Sequence, residues 1–178
     1  MLLCAAALWL ATSPLAQAVD FKRTTGPAPP VVLRTLALKT LDGSALDIKA
    51  LHGRVVIVHF FATWCEPCRE ELPALQRLVA RSGKPPVAVI AIAVADLDLR
   101  VRRFLQATRV DFPVVLDQDR ALAKAWDISE LPSTVILDPE LRPRLAVVGA
   151  FAWDDIDPPT LVERLDPNDS APNAQPIH

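Results

Sequence analysis

Two cysteines, Cys65 and Cys68, are separated by two residues in the sequence Cys-Glu-Pro-Cys, directly after Trp64. Thiols at this spacing can close and open a disulfide, because one thiolate attacks a foreign disulfide and the other resolves the mixed disulfide that forms. As a permanent staple the pair would close a very short loop and restrain the unfolded chain little. The spacing therefore favours a reversible redox pair, joined as a Cys65–Cys68 disulfide when oxidised.

The two cysteines stand where a predicted strand gives way to a predicted helix. Residues 54–61 read RVVIVHFF, which is typical of a strand covered on both faces, and helical spacing of apolar residues continues over 65–81. The N–H groups and partial positive charge of a helix N-terminus lower the pKa of a thiol. Cys65 comes first and is predicted to be the nucleophile, and Cys68 the resolving thiol. Pro67 suits the first helical turn, where no N–H is needed.

A zinc half-site is the main chemical alternative for this spacing. A structural zinc ion needs four ligands. The only further cysteine is Cys4, near the start of the chain, and His52, His59 and His178 show no metal-ligand spacing. We therefore expect no metal and no other cofactor.

The first eighteen residues differ from the rest of the chain. Residues 2–11 are apolar, but a helix that crosses a bilayer needs roughly 20 residues. The sequence Ala16-Gln17-Ala18 has the small-x-small pattern of a signal-peptidase site, so residues 1–18 are predicted to be a signal peptide, although no Lys or Arg precedes the apolar run. An uncleaved anchor that faces the periplasm is the alternative. Lipidation of Cys4 is disfavoured because the bulky Leu3 precedes it.

The remaining chain is predicted to form one domain. Residues 19–30 are assigned to an extended arm, 31–165 to the domain and 166–178 to a polar, disordered tail. The net charge of -2, without a run of basic residues, gives no surface for nucleic acid. Arg100, Arg102 and Arg103 are interpreted as the solvated face of a helix rather than an anion site.

The predicted elements alternate between strands and helices, which indicates an α/β sandwich with a mixed central sheet. An Asp-Gly pair at 42–43 predicts a hairpin between apolar runs. The predicted strands are 31–38, 45–48, 54–61, 87–94, 112–116, 133–137 and 145–148, and the predicted helices are 65–81, 97–108, 120–126 and 160–165.

The segment 63–68, read with the strand before it, Pro73 after it and Pro132 downstream, resembles the thioredoxin superfamily. Cys-Glu-Pro-Cys and the segments FPVVLD and LPSTVILD resemble its exported branch, which contains TlpA, ResA and CcmG (DsbE). The resemblance covers residues 32–165. It implies a thioredoxin-like fold, in which helices flank a central mixed β-sheet, with an N-terminal β-hairpin and an extra helix-strand insert at about 95–117.

The resemblance also implies roles for individual residues. Pro132 matches the family's cis-proline, whose loop faces the dithiol, and Leu131 would pair with the substrate through its backbone. Trp64 would lie over the dithiol, and together with Pro67 and Leu131 it is assigned to substrate binding. Glu71 matches a glutamate that in ResA contributes to the acid-base behaviour of the dithiol, and a surface position is its alternative.

Two further candidates keep two interpretations each. Glu66, between the cysteines, either raises the pKa of Cys65 and makes the protein more reducing, or is a solvated side chain with little effect. His59 stands six residues before Cys65, where thioredoxin has a buried Asp and the exported branch often has Asn. It either moves a proton when Cys68 attacks, or is a hydrogen-bonded core histidine.

The implied function is that of a monomeric periplasmic thiol-disulfide oxidoreductase. We expect a reductase of specific protein disulfides, with apocytochrome c as the most familiar client of this branch. A membrane thiol transporter of DsbD or CcdA type would supply electrons. A disulfide oxidase or isomerase is the alternative within the same chemistry. A copper(I)-binding thiol chaperone is the alternative from another class, although Met1 is the only methionine and no His cluster is present.

Overall fold

The computed structural model describes residues 22–23, 38–84, 86–163 and 165. The predicted signal peptide, the predicted tail and most of the predicted arm lie outside the described residues. None of the helices in the described ranges has the length and apolar character needed to span a bilayer.

The described residues fold as alternating strands and helices. The strands are β1 (Lys22–Arg23), β2 (Leu38–Lys39), β3 (Ala45–Leu46), β4 (Val55–Phe61), β5 (Val87–Val94), β6 (Val114–Asp117), β7 (Ser133–Leu137) and β8 (Pro143–Val148). The helices are α1 (Glu66–Arg81), α2 (Asp98–Thr108), α3 (Ala121–Ala125) and α4 (Pro158–Glu163), with short 3-10 helices at Ile48–Leu51 and Trp153–Asp155.

Six of these strands form one mixed sheet in the order β1-β8-β7-β4-β5-β6. The central pair β4 and β5 is parallel, as is the pair β5 and β6, whereas β7 runs antiparallel to both β4 and β8. The hairpin strands β2 and β3 form a second, two-stranded sheet. The predicted α/β fold with a mixed central sheet is therefore confirmed.

The composition of β4 and β5 explains their central position. Every residue of both strands is buried, and nearly all are apolar. Since side chains alternate along a strand, Val56, Val58 and Phe60 pack in one core cluster and Ile57 packs on the other face, against α1. His59 shares the face of Ile57, so the histidine side chain lies on the side of the sheet that α1 covers.

Helix α1 carries the predicted apolar stripe with two corrections. The helix begins at Glu66 and not at Cys65, which is the N-cap residue. Val79 was predicted to face the core and does pack against it, but it is only half-buried, and Leu78, which was not in the predicted stripe, is fully buried. Glu71 lies on the buried side with Leu78.

Other expectations were wrong at the ends of elements. Leu97 was predicted to face the core, but it is the N-cap of α2, outside the helical repeat, and is 60% exposed. Ile48 was assigned to the hairpin, but it opens a 3-10 helix because the Asp47 side chain accepts a hydrogen bond from Lys49 N at 2.9 Å. Helix α4 begins at Pro158 and not at Thr160, since prolines suit a first turn that needs no N–H donors. Residues 31–37 of the predicted hairpin lie outside the described residues.

Asp117 generates a prediction about stability. Its carboxylate is buried at the end of β6 and accepts hydrogen bonds from Leu122 N (3.0 Å) and Ala123 N (2.8 Å) at the start of α3. Asp117→Ala should lower the free energy of unfolding by about 1–3 kcal/mol, because two buried N–H groups lose their acceptor. Urea denaturation measures the loss. The exposed Asp119, whose carboxylate accepts one backbone hydrogen bond, from Ala121 N at 3.1 Å, is the matched control. Asp119→Ala should cost less, and an equal loss in both variants would contradict the assignment.

Candidate active site

Cys65 and Cys68 form a disulfide with their Cα atoms 5.4 Å apart. Cys65 is the N-cap residue of α1 and is 6% exposed, whereas Cys68 in the first turn is fully buried. Pro67 lies between them in that first turn, where α1 uses no N–H donor. A thiolate at Cys65 would therefore lie at the positive end of the helix, and attack from outside can reach Cys65 more easily than Cys68.

The loop that contains Pro132 lies beside the dithiol. Leu131 is half-buried and packs against the apolar cluster that contains both Cys65 and Cys68. The Leu131–Pro132 peptide bond is cis, and Pro132 O accepts a hydrogen bond from Gly149 N at 2.9 Å. The fold thus packs Leu131 against the cluster that contains the cysteines, although they are more than 60 residues apart in the chain.

The remaining residues next to the cysteines are open to solvent. Trp64 is 61% exposed, and Glu66 and Pro67 are also exposed. The charge of Glu66 therefore acts through water, which screens it. His52 and the basic residues Arg102 and Arg103 are exposed as well.

Glu71 is buried behind the dithiol, on the same side of α1 as Cys68, and is not at the surface. Its Oε1 accepts a hydrogen bond from Phe151 N at 2.9 Å, and its Oε2 accepts one from Trp153 Nε1 at 2.7 Å. Burial raises the pKa of Glu71 to about 7, and the two hydrogen bonds only partly oppose that rise. The carboxyl group therefore changes its charge near neutral pH.

His59 reaches the same buried region from β4. It is completely buried, its Nδ1 lies 2.9 Å from Thr134 Oγ1, and the same atom lies 3.8 Å from Glu71 Oε2. Burial lowers the pKa of His59 to about 3, so the ring is neutral at neutral pH and its contact with Glu71 is not an ion pair. Its Nε2 has no hydrogen-bond partner within the described part of the chain.

Four residues that complete this region were not identified from the sequence. Thr134 forms a hydrogen bond with His59, and Asp96 accepts one from Thr63 N. Phe151 N and Trp153 Nε1 both donate to Glu71. Phe151 and Trp153 are 80 and 82 residues from Glu71 in the chain, so no local spacing could connect them. The one available signal was that a buried carboxyl group needs donors, and an indole N–H is one.

The described residues contain no cluster of three or more His, Cys, Asp or Glu side chains arranged to hold a metal ion. The chemistry that this geometry offers is that of two thiols with a buried carboxyl group and a neutral imidazole behind them.

The raised pKa of Glu71 predicts how stability depends on pH. The folded protein binds this proton more tightly than the unfolded chain, where the carboxyl has its ordinary pKa of 4.5. Its contribution to stability is therefore complete below pH 4.5 and is lost as the pH rises through about 7, a difference of up to about 3 kcal/mol. Burial lowers the pKa of His59 to about 3, which contributes a slope of opposite sign over part of this range, so the Glu71 contribution is measured as the difference between wild type and Glu71→Gln. In urea denaturation of the oxidised protein from pH 4.5 to 7.5, the free energy of unfolding of the wild type should fall relative to that of Glu71→Gln as the pH rises.

The exposed neighbour Glu70 provides the control for that experiment. Glu70→Gln should keep the wild-type slope. If Glu71→Gln keeps it as well, the buried carboxyl is not the group that titrates.

Comparison with known sequences places the chain in a family. Residues 26–142 match the AhpC/TSA family. The protein named thiol-disulfide oxidoreductase ResA from Bacillus subtilis (strain 168) is 34% identical over 114 residues, which are 64% of this chain and 64% of that protein. A second ResA, from Oceanobacillus iheyensis, is 27% identical over 157 residues, which are 88% of this chain and 81% of that protein. The match to the B. subtilis protein thus spans slightly less than two thirds of its length.

Solved structures agree with the fold. StoA from Bacillus subtilis superposes with a TM-score of 0.58 and 26% identity, over 72% of this chain and 93% of that chain. A thioredoxin family protein from Chlorobium tepidum, described as a thiol:disulfide interchange protein, superposes with a TM-score of 0.65 and 24% identity, over 83% and 99%. From its sequence match and its sheet topology, this chain belongs to the AhpC/TSA family and has its thioredoxin-like domain.

Proposed function

We propose that this protein is a thiol-disulfide oxidoreductase that reduces disulfides in other proteins. The observation that carries the proposal is the position of the two cysteines: Cys65, 6% exposed, is the N-cap of α1, and Cys68 is fully buried one turn behind it. The relatives named ResA support the same chemistry. Leu131, which packs against the apolar cluster that contains both cysteines and precedes the cis Pro132, provides the backbone against which an extended client segment would pair.

The reaction proceeds in two exchanges. In the reduced protein the Cys65 thiolate attacks one sulfur of the client disulfide, so that a Cys65–client bond forms and the second client sulfur leaves as a thiolate. Cys68 then loses its proton and attacks Cys65 Sγ, which forms the Cys65–Cys68 disulfide and releases the first client sulfur. Two electrons pass to the client, whose two thiolates take up protons from solvent. A thiol donor then reduces the protein again.

Glu71 is the group best suited to take the Cys68 proton. Cys68 is fully buried, so its proton cannot pass directly to water. Glu71 lies three residues further on the same side of α1, and its pKa of about 7 makes it half ionised near neutral pH. His59, with a pKa of about 3, is a poor acceptor, and we assign it the role of positioning the carboxyl from the sheet side.

The residues assigned to the client lie near Cys65 in the chain or in its apolar cluster. Trp64 and Pro67 are exposed next to Cys65 in sequence, and the half-buried Leu131 packs against the cluster that contains both cysteines, so these residues would contact the client. We assign Glu66 a small effect on the Cys65 thiolate, because it is exposed.

The setting of the reaction rests on the sequence. Residues 1–18 support export, and we propose that the domain acts in the periplasm, either free as a monomer or held by its N-terminus. A membrane thiol transporter of DsbD or CcdA type would be the donor, and apocytochrome c is the first client to test. An exported reductase needs such a donor because the compartment itself favours disulfides.

Single-cysteine variants test the order of the two exchanges. Reduced Cys68→Ser should accumulate a covalent complex with a disulfide-containing client peptide, because Cys65 attacks but nothing resolves the product. Cys65→Ser should form no such complex. Non-reducing electrophoresis and mass spectrometry measure the adduct. Trapping by Cys65→Ser instead would reverse the assigned roles.

The redox potential tests the direction of electron flow. Equilibration with a dithiothreitol or glutathione couple should give a value at or below about −270 mV, that of thioredoxin. A value near about −120 mV, that of the oxidant DsbA, would make the protein a disulfide donor instead.

Stoichiometric copper(I) binding by the reduced protein, without disulfide turnover, would favour the alternative function of a copper(I)-binding thiol chaperone.

A further inference from the structure

The carboxylate of Asp96 joins the two loops that follow the parallel strands β4 and β5. Its Oδ2 accepts hydrogen bonds from Thr63 N and from Thr63 Oγ1, both at 2.7 Å, and its Oδ1 accepts one from Leu97 N at 2.8 Å. Asp96 is 3% exposed, and the preceding Ala95 adopts a left-handed backbone conformation with φ of 51°. Three donors from two separate segments thus meet at one buried side chain.

We propose that Asp96 is a positioning residue for Cys65, which it holds in place through Thr63. This inference rests on the proposed function and names a part of the molecule that makes the nucleophile reactive. Thr63 is the second residue of the turn between β4 and α1, and that turn is closed by a hydrogen bond from Cys65 N to Ala62 O at 3.1 Å. A displacement of Thr63 would therefore move Cys65 with it.

Packing holds the two ends of this turn, because Ala62 and Cys65 are buried in an apolar cluster, and Asp96 holds the half-buried Thr63 between them. The pairing of β4 with β5 ends at Phe61 and Ala93, before the turn begins. Trp64, the next residue of the turn, is 61% exposed and so gains little from packing. Arg100 approaches Asp96 only at 3.9 Å and with an exposed side chain, so it contributes little to the geometry.

The position of Cys65 matters because its reactivity comes from the helix end. A thiolate is stabilised by the N–H groups and partial positive charge of α1 only while it stays at the N-cap. Release of the turn should raise the pKa of the Cys65 thiol. Removal of the Asp96 charge has the opposite electrostatic effect. A variant that weakens the hydrogen bonding between Thr63 and Asp96, here called the Asp96 clamp, without changing a charge is therefore the more informative one.

Thr63 offers such a variant. Thr63→Val removes the hydroxyl donor, which makes one of the two hydrogen bonds from Thr63 to Asp96, and keeps the backbone N–H donor and the size of the side chain. Thr63→Ser keeps both donors. In the reduced full chain, the rate of Cys65 alkylation by iodoacetamide is measured against pH, with the modified residue identified by mass spectrometry. We expect Thr63→Val to slow alkylation at pH 7 by about 3- to 10-fold and to shift the midpoint upward, and Thr63→Ser to stay within about 2-fold of wild type.

Asp96→Ala removes all three hydrogen bonds, and we expect kcat/KM for a client disulfide to fall by more than about 10-fold, mostly in kcat. Asp117→Ala is the matched control, because Asp117 is also a buried aspartate at a strand end that accepts backbone N–H donors, but it caps α3. It should destabilise the protein without moving the alkylation profile. If Asp96→Ala does not fold, the Thr63 pair decides the question.

A wild-type alkylation profile in Thr63→Val would overturn the proposal. A shift in Asp117→Ala as large as in Thr63→Val would also overturn it, because general loosening would then explain both. The alkylation profile needs no client, so it tests the positioning role separately from the proposed function. If the wild-type protein reduces no client but the Thr63 variants behave as expected, the proposed function is contradicted and the positioning role of Asp96 is still supported.

Discussion

The burial of one carboxyl group, that of Glu71, constrains much of this structure. Removal of a carboxyl from water costs several kcal/mol unless donors replace the lost solvent. Glu71 is on the helix that carries the dithiol, and its donors are Phe151 N and Trp153 Nε1, which lie 80 and 82 residues further along the chain. The C-terminal segment must therefore pack against α1 before the helix can keep this group buried. His59, from the central strand, completes the enclosure.

Three buried aspartates at strand ends accept hydrogen bonds from backbone N–H groups of the segments that follow. Asp96 follows β5, Asp117 ends β6 and Asp138 follows β7, and each accepts backbone N–H groups of the segment that comes next. Loops at the ends of buried strands leave N–H groups without partners, and a short side chain that only accepts hydrogen bonds can satisfy several of them at once. Asp96 differs from the other two because it also reaches across to the neighbouring loop, where Thr63 precedes the dithiol turn.

The sequence predicted those parts of the fold and of the site that produce a local pattern of residues. The dithiol, the buried strands β4 and β5, and the helix after Cys65 could all be predicted, since runs of apolar residues and the spacing of cysteines are local signals. Leu97 was misplaced because a helical repeat does not show which residue is the cap. Trp153 and Asp96 could not be assigned because their contacts join segments far apart in the chain, and such pairings depend on the topology of the sheet.

The distance along the chain between Glu71 and its donors has a consequence for how the protein is made. Synthesis delivers the dithiol helix before the segment around Trp153, which lies 82 residues after Glu71. Before that segment is synthesised, the Glu71 carboxyl group lacks its donors from Phe151 and Trp153 and stays in water. Helix α1 therefore cannot pack fully against the sheet until then. Both cysteines are thus accessible to surrounding thiols and oxidants before the carboxyl site behind them has formed.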